Sequence, residues 1–408
     1  MGLGEEVEKQ ARLLAGILGV PDFVYQTPDV HNGGETWEPA DGLLVNGDEG
    51  LIIEVKTRDQ PNDSFSNCQV WVKTRTKKGF GQIAKTRERF AAGEVVESIP
   101  LRGPGLRVAG SRRWPALIVL AIDNPPKGLK CGTAPNTVVM TSQDFFQLQR
   151  YVPSTYWIIQ YVKYAAQLPA PEELGREQDR YTCLALRGKD QASAKHGAYS
   201  LFPEKPIRPA DDLDGDYVKR LINRVHDVTE AQPKPDWACA HTLMERLDRI
   251  GLEFHQRLED EVNALYRDAR SSRRVQSQPI ITNHDVAAIY ILAGTKHSYR
   301  DQNDLRRELH KLCQLRLEEF NRDKEEPTPV LGIGIWASAP DPLEEAQVLL
   351  VEESTLVPAE RWMLLERFGD RSGVYAGPPD HQDPMKPCLC GSGARAMFCH
   401  PRPLGSWS

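Results

Sequence analysis

One short stretch constrains this chain more than any other: Pro39-Ala-Asp-Gly-Leu-Leu-Val-Asn-Gly-Asp-Glu-Gly-Leu-Ile-Ile-Glu-Val-Lys56. Two apolar-rich segments, 41–45 and 51–56, flank Asn46-Gly-Asp-Glu-Gly50, which predicts a β-hairpin. Side chains alternate across a strand, so Glu54 and Lys56 share one face while Ile53 and Val55 enter the core on the other. The hairpin returns the chain so that Asp41 lies close to this pair. Two carboxylates can then hold a divalent cation such as Mg²⁺ (or Mn²⁺). The adjacent ammonium can orient, or help to deprotonate, a water that attacks phosphorus. A simple count over a five-residue turn pairs Asp41 with Val55 and turns it to the wrong face. The hairpin is therefore expected to hold a bulge or an offset register.

The surrounding sequence alternates helix and strand signals. Val7, Ala11, Leu14 and Leu18 have the period of an amphipathic helix over 5–18, closed by Gly19. Residues 23–26 read as extended, 82–90 as helical, 114–122 as a buried strand, and 137–140 as another strand. A helix follows over 142–151, with Ser142 able to cap it. This alternation predicts a compact α/β domain over 1–165, ending in a linker at 168–173. Residues 180–375 change character. Charged helices are expected at 217–230, 239–269 and 302–322, and strands at 287–292, 330–337 and 346–351, giving a mainly helical α+β region of regulatory or specificity role.

Taken together, Pro39-Ala40-Asp41 followed by Glu54-Val55-Lys56 at the end of an apolar strand resembles the PD-(D/E)xK nuclease superfamily. The resemblance extends over roughly the first 165 residues. Upstream, the helix around Gly4 to Gly19 looks like the first helix of its restriction and resolvase branches, which puts Glu8 at the position of a helical acid in the metal site. Downstream, Gly81-Gln82-Ile-Ala-Lys85 is similar to the helix that supplies a Gln or Lys near the scissile phosphate. The resemblance implies a restriction-endonuclease-like core, a mixed sheet flanked by helices. It also implies Mg²⁺- or Mn²⁺-dependent endonuclease activity on DNA, in bacterial restriction or defence against phage, with Asp41, Glu54, Lys56, Glu8 and Gln82 at the site. Two other readings stay open: a non-catalytic nucleic-acid-binding protein that keeps this fold, and an RNA- or translation-linked factor. Asp29 and Glu38 flank the motif in segments that read as loops.

The overall charge is −6, from 51 Lys+Arg against 57 Asp+Glu, so nucleic-acid binding must come from a local patch. Lys73, Arg75, Lys77, Lys78, Lys85, Arg87 and Arg89 form one, interleaved with Trp71 and Phe80, and Arg102, Arg107, Arg112 and Arg113 follow. Such groups neutralise phosphates without reading bases.

Of 8 cysteines, five are scattered, as in a reducing compartment, while Cys388, Cys390 and Cys399 crowd the C-terminal segment with His400. Cys-x-Cys, a Gly-Ser-Gly turn and Cys-His let four ligands converge on one structural Zn²⁺. The spacing over 384–403 resembles the SEC-C zinc motif. Only Arg395 is basic between turn and last cysteine, so docking to a protein partner competes with nucleic-acid binding as its role. No apolar run approaches membrane-spanning length and no signal peptide is visible, which predicts a cytoplasmic protein. A homo-oligomer is compatible with this reading. No phosphate-loop motif, G-x-S-x-G elbow or H-E-x-x-H helix occurs.

Overall fold

The computed structural model describes residues 9, 16, 19–32, 35–58, 64–111, 113–122, 125–194, 202–207, 216–281, 288–321 and 328–356. The chain divides into two compact units, Met1–Glu253 and Phe254–Ser408. The segment 168–173, expected as a linker, lies inside the first unit.

In the first unit, β1 (Val24–Gln26) precedes a two-stranded ribbon of β2 (Val30–Asn32) and β3 (Glu35–Trp37). Next come β4 (Gly42–Asn46), β5 (Glu49–Thr57), α1 (Phe65–Ala91), β6 (Val95–Pro100), β7 (Leu106–Ala109), β8 (Ala116–Ala121) and β9 (Thr137–Thr141). Among the described residues, five further helices follow: α2 (Ser142–Tyr151), α3 (Thr155–Ala165), α4 (Glu177–Ala194), α5 (Tyr217–Glu230) and α6 (Trp237–Asp248). Seven strands make one sheet in the order β7-β6-β1-β4-β5-β8-β9. β5–β8 and β8–β9 are parallel and the remaining pairs antiparallel. The architecture is thus α/β, with a mixed sheet flanked by helices.

Strand alternation divides the core into two layers. Leu51, Ile53, Val55, Leu117 and Val119 pack against Phe145, Leu148, Trp157, Ile158 and Tyr181 of α2, α3 and α4. Leu43, Ile52, Ile118 and Leu120 pack on the opposite face against Cys68, Val72, Ile83 and Phe90 of α1. Complete burial of each such large apolar side chain stabilises by about 1.5–3 kcal/mol. Because β5 is covered on both faces, its charged members are enclosed rather than solvated.

α1 runs from Phe65, with the Ser64 hydroxyl accepting the Asn67 amide, well upstream of the stretch expected to be helical. Its inward stripe places Thr76, Gly79 and Thr86 among the apolar residues, which dilutes the hydrophobic period. Gly79 is there for closeness: a Cβ would sit 2.8 Å from Ile118 Cδ1. α2 starts as expected, but its cap is Thr141, not Ser142. Thr141 and Asp144 form a reciprocal capping box, and Ser142 is already helical. The helix anticipated over 239–269 is two, α6 and α7 (Leu252–Ser272), interrupted at Arg249-Ile250-Gly251, where the Ile250 carbonyl accepts the Trp157 indole N–H.

In the second unit, β10 (Gln276–Ile281), β11 (Ala288–Gly294), α8 (Gln302–Phe320), β12 (Val330–Trp336) and β13 (Gln347–Val351) form a four-stranded sheet in sequence order. β11 and β12 are parallel, joined through α8, whose Leu305, Leu309, Leu312 and Cys313 cover the sheet. Pro279 is tolerated because β10 is an edge strand. Among the described residues, no helix is long and apolar enough to cross a membrane.

Candidate active site

The hairpin sets the geometry. β4 and β5 pair as Gly42↔Ile53 through Asn46↔Glu49, leaving Gly47-Asp48 as a two-residue loop. Gly47 adopts φ 60°, the left-handed value needed at the first central position of a type II′ turn. Continuing this ladder by one step sets Asp41 opposite Glu54, and directly opposed residues project to the same face. The wrong-face difficulty disappears without a bulge: the loop is shorter than the five residues counted from sequence, and the register moves by one.

Asp41, Glu54 and Lys56 consequently meet beneath α1, all buried. Lys56 Nζ lies 2.7 Å from Glu54 Oε2 and 3.4 Å from Asp41 Oδ2, and donates to the Val55 carbonyl at 3.1 Å. Asp41 Oδ2 also accepts the Val55 amide, locking the carboxylate across the strand pair. The segment before Asp41 is fixed from two sides. The Thr27 hydroxyl donates to the Ala40 carbonyl, and the Thr86 hydroxyl of α1 donates to that of Pro39.

Burial, then the like charge of Asp41, push the Glu54 carboxyl up to about 8 against the pull of Lys56, and Glu38 adds to the push. Burial alone would lower the Lys56 ammonium. Glu54 and Asp41 outweigh it, so Lys56 is held above its usual value. Two crowded acids with one internal cation form a site that gains from a further positive charge. Mg²⁺ binds through one or two carboxylates and keeps its waters, so Asp41 and Glu54 fit it by donor type. Among the described residues, no cluster of three or more His, Cys, Asp or Glu side chains is arranged to hold a metal.

The other expected residues distribute as follows. Gln82 lies on α1 one turn before Thr86 and one turn after Gly79. Gly79 in turn covers Ile118, the register partner of Glu54. The Gln82 Oε1 is buried, with no hydrogen-bond partner among the described residues. Lys73, Arg75, Lys77, Lys78 and Lys85 are all exposed on α1. Helical spacing puts Arg75 and Lys78 on one stripe with Trp71 and Gln82, and turns Lys73 and Lys77 about a third to a half turn away.

Arg87 and Arg89 do not belong to the basic patch. Arg87 donates to the carbonyls of Trp114, Pro135 and Asn136, and Arg89 stacks over Trp37 and pairs with Glu94. Arg102 likewise holds the buried Asp22. Glu8 and Arg112 lie outside the described residues, as do Cys388, Cys390, Cys399 and His400 with the zinc motif expected there.

Arg58 is not singled out by sequence reasoning, and Glu38 is named there only as a loop residue flanking the motif. Arg58 continues the Glu54–Lys56 alternation, and its guanidinium lies 5.6 Å from the centre of the Trp71 ring. The period of two carries the signal for it. Glu38 sits in the connection before β4, as expected, yet its charge reaches Glu54. Nothing in its local sequence indicates that.

Comparison with protein-family models, with curated proteins and with solved structures returns no match to this chain.

Proposed function

We propose that the first unit is a metal-dependent phosphodiesterase of the PD-(D/E)xK type, a DNA endonuclease with a restriction-endonuclease-like core. One observation carries the reading: Asp41, Glu54 and Lys56 share a buried face of adjacent strands, with the ammonium in contact with both carboxylates. Asp41 and Glu54 would hold a divalent cation, which when bound stabilises charge on the phosphate oxygens. Lys56, tethered to the Val55 carbonyl, is positioned to orient a water by hydrogen bonding. The buried, unpartnered Gln82 amide oxygen supports a role for Gln82 in receiving a donor at the site. Arg75 and Lys78, on the stripe with Gln82, would take the phosphate backbone.

Incubating the full chain with plasmid DNA, linear DNA and RNA, with and without Mg²⁺ or Mn²⁺, tests the reading. Metal-dependent cleavage of DNA is expected, and no cleavage of any substrate overturns it. Neutralising Arg75, Lys78 and Lys85 together is expected to flatten the salt dependence of DNA binding, by up to about 0.9 in log–log slope for each phosphate that is no longer neutralised. Neutralising Lys73 and Lys77 should change it less. An unchanged slope in the first variant places the phosphate-binding surface elsewhere.

The zinc reading stands on Cys388, Cys390, Cys399 and His400. Cys399→Ser should release about one zinc per chain by elemental analysis, and retention of stoichiometric zinc rejects this ligand set.

A further inference from the structure

The second unit carries a cation cluster of its own. α7 closes in Arg267-Asp-Ala-Arg270-Ser-Ser-Arg273-Arg274, four arginines against the single acid Asp268. β10 follows and pairs antiparallel with β11, beginning at Gln276↔Ala293. Continuing that ladder outward by two steps sets Arg274 beside Thr295. There the chain turns tightly, the Thr295 carbonyl accepting the Ser298 and Tyr299 amides at 2.9 and 3.0 Å. Tyr299 is buried in this turn and Lys296 is exposed. The Ser298 hydroxyl donates to the Arg273 carbonyl at 3.1 Å, tying the two segments into one corner of the sheet.

We infer that this corner, through Arg273, Arg274 and Lys296, docks the phosphate backbone of duplex DNA. All three side chains are exposed, and none has an ion-pair partner among the described residues. Arg267 and Arg270 donate to neutral oxygens, those of the Asn263 carbonyl and the Tyr266 hydroxyl, and so keep their charge beside Asp268. Asp301 caps α8, and Asp304 is shared by Arg300 and Arg307. A local surplus of positive charge remains. Asp341, Glu344 and Glu345 precede β13, at the other edge of the sheet. Three strand spacings, about 14 Å, separate the edges, and charges are screened over ~8 Å at physiological salt.

The backbone supplies a second, independent observation. Arg273 adopts φ 56° directly after the last residue of α7, the left-handed position where helices normally place glycine. Every other left-handed residue among the described ones is a glycine or Asn136. A long side chain there strains the backbone. The helix dipole does not require it, since Arg270 already stands in the last turn. A guanidinium kept on a strained backbone marks a functional position. Exposed guanidiniums beside an ammonium, with no enclosing pocket, suit a repeating anion held without reading bases. The choice of DNA as that polyanion rests on the nuclease reading of the first unit.

Fluorescence anisotropy of a labelled DNA duplex, titrated with the full chain in EDTA over a range of salt concentrations, tests this without requiring cleavage. Loss of one phosphate contact lowers the log–log salt slope by about 0.9 and the affinity at physiological salt by about fivefold. Arg273→Gly should show that loss while its midpoint of thermal unfolding stays level or rises, because glycine suits the left-handed backbone. Adding Arg274→Gln and Lys296→Gln should deepen the loss, whereas Arg300→Gln, whose guanidinium is held by Asp304, should change the slope less. An unchanged slope in the triple variant overturns the inference, whether or not the chain cleaves DNA with Mg²⁺. A lowered unfolding midpoint in Arg273→Gly assigns this arginine to the fold and overturns it too. A slope that falls only with duplex RNA overturns DNA as the partner.

Discussion

Asp41→Ala and Glu54→Gln are each expected to lower metal-dependent cleavage by about a thousandfold or more, because the cation supplies several kcal/mol of charge stabilisation and each ~1.4 kcal/mol is a factor of ten. The two variants differ in stability. Glu54→Gln relieves the repulsion between buried acids and should leave the unit as stable as before. Asp41→Ala strips the Val55 amide of its acceptor and should cost about 1–3 kcal/mol. Lys56→Met should lose cleavage while Mg²⁺ binding survives, because it removes the ammonium that competes for the carboxylates.

The raised Glu54 carboxyl adds a pH signature. The cation requires the ionised form, so cleavage at limiting Mg²⁺ should climb as pH rises toward about 8, and Mg²⁺ binding near pH 7 should release a proton into weakly buffered solution. Full activity in Asp41→Ala and Glu54→Gln, verified as folded, would falsify the assignment.

Asp248→Ala is expected to give the largest loss of stability in the first unit. This fully buried carboxylate accepts the amides of Thr155 and Tyr156 at the start of α3 and the Asn46 side-chain amide at 2.9 Å. Asn46 in turn accepts Arg249 Nε at 2.7 Å, so the hairpin that carries the acidic site is clamped to α3 and to the end of α6. Orphaning three buried donors costs about 3–5 kcal/mol, which lowers Tm by roughly 10 °C for a unit of this size. A loss under about 1 kcal/mol in urea unfolding would show that the clamp does not hold the hairpin.

Burial raises Asp248 from 3.8 to about 6 despite those bonds. The folded chain therefore keeps this proton at a pH where the unfolded chain has released it. The associated stability is present below about pH 4 and lost as pH rises through about 6. Asp248→Asn should flatten that part of the stability profile.

Much of the fold is legible in the sequence because the decisive strands are apolar and short. Residues 114–122 announce β8, 137–140 announce β9, and both halves of the hairpin are evident. That Glu54 and Lys56 share a face follows from alternation, since both are polar positions in an otherwise apolar strand, whereas Glu8 and Gln82 enter only through the resemblance. Register is not legible, because Asn-Gly-Asp-Glu-Gly supports loops of more than one length and only the φ of Gly47 selects one. α1 is half visible, its central stripe being Thr and Gly rather than Leu and Val. β6 and β7 pass for loop because apolar Val95, Ile99 and Leu106 point outward while Ser98 and Pro100 point inward, so the alternation that marks a half-buried strand is absent. Arg87 and Arg89 look like phosphate-binding groups in sequence. Only tertiary structure shows that their guanidiniums are spent on backbone carbonyls and on Trp37.

The two-residue loop at Gly47-Asp48 makes the chemistry of this chain depend on parity. Adding one residue there while the tip keeps a two-residue loop would slide β4 by one position along β5 and turn Asp41 to the side of Ile53 and Val55. The triad would then be split between two layers of the core with no site residue altered. Adding two would restore the facing and shift the acid along the strand instead. Loop length at the hairpin tip, about 20 Å from the acids at ~3.3 Å per residue, thus acts as an even–odd determinant of whether a cation site exists at all.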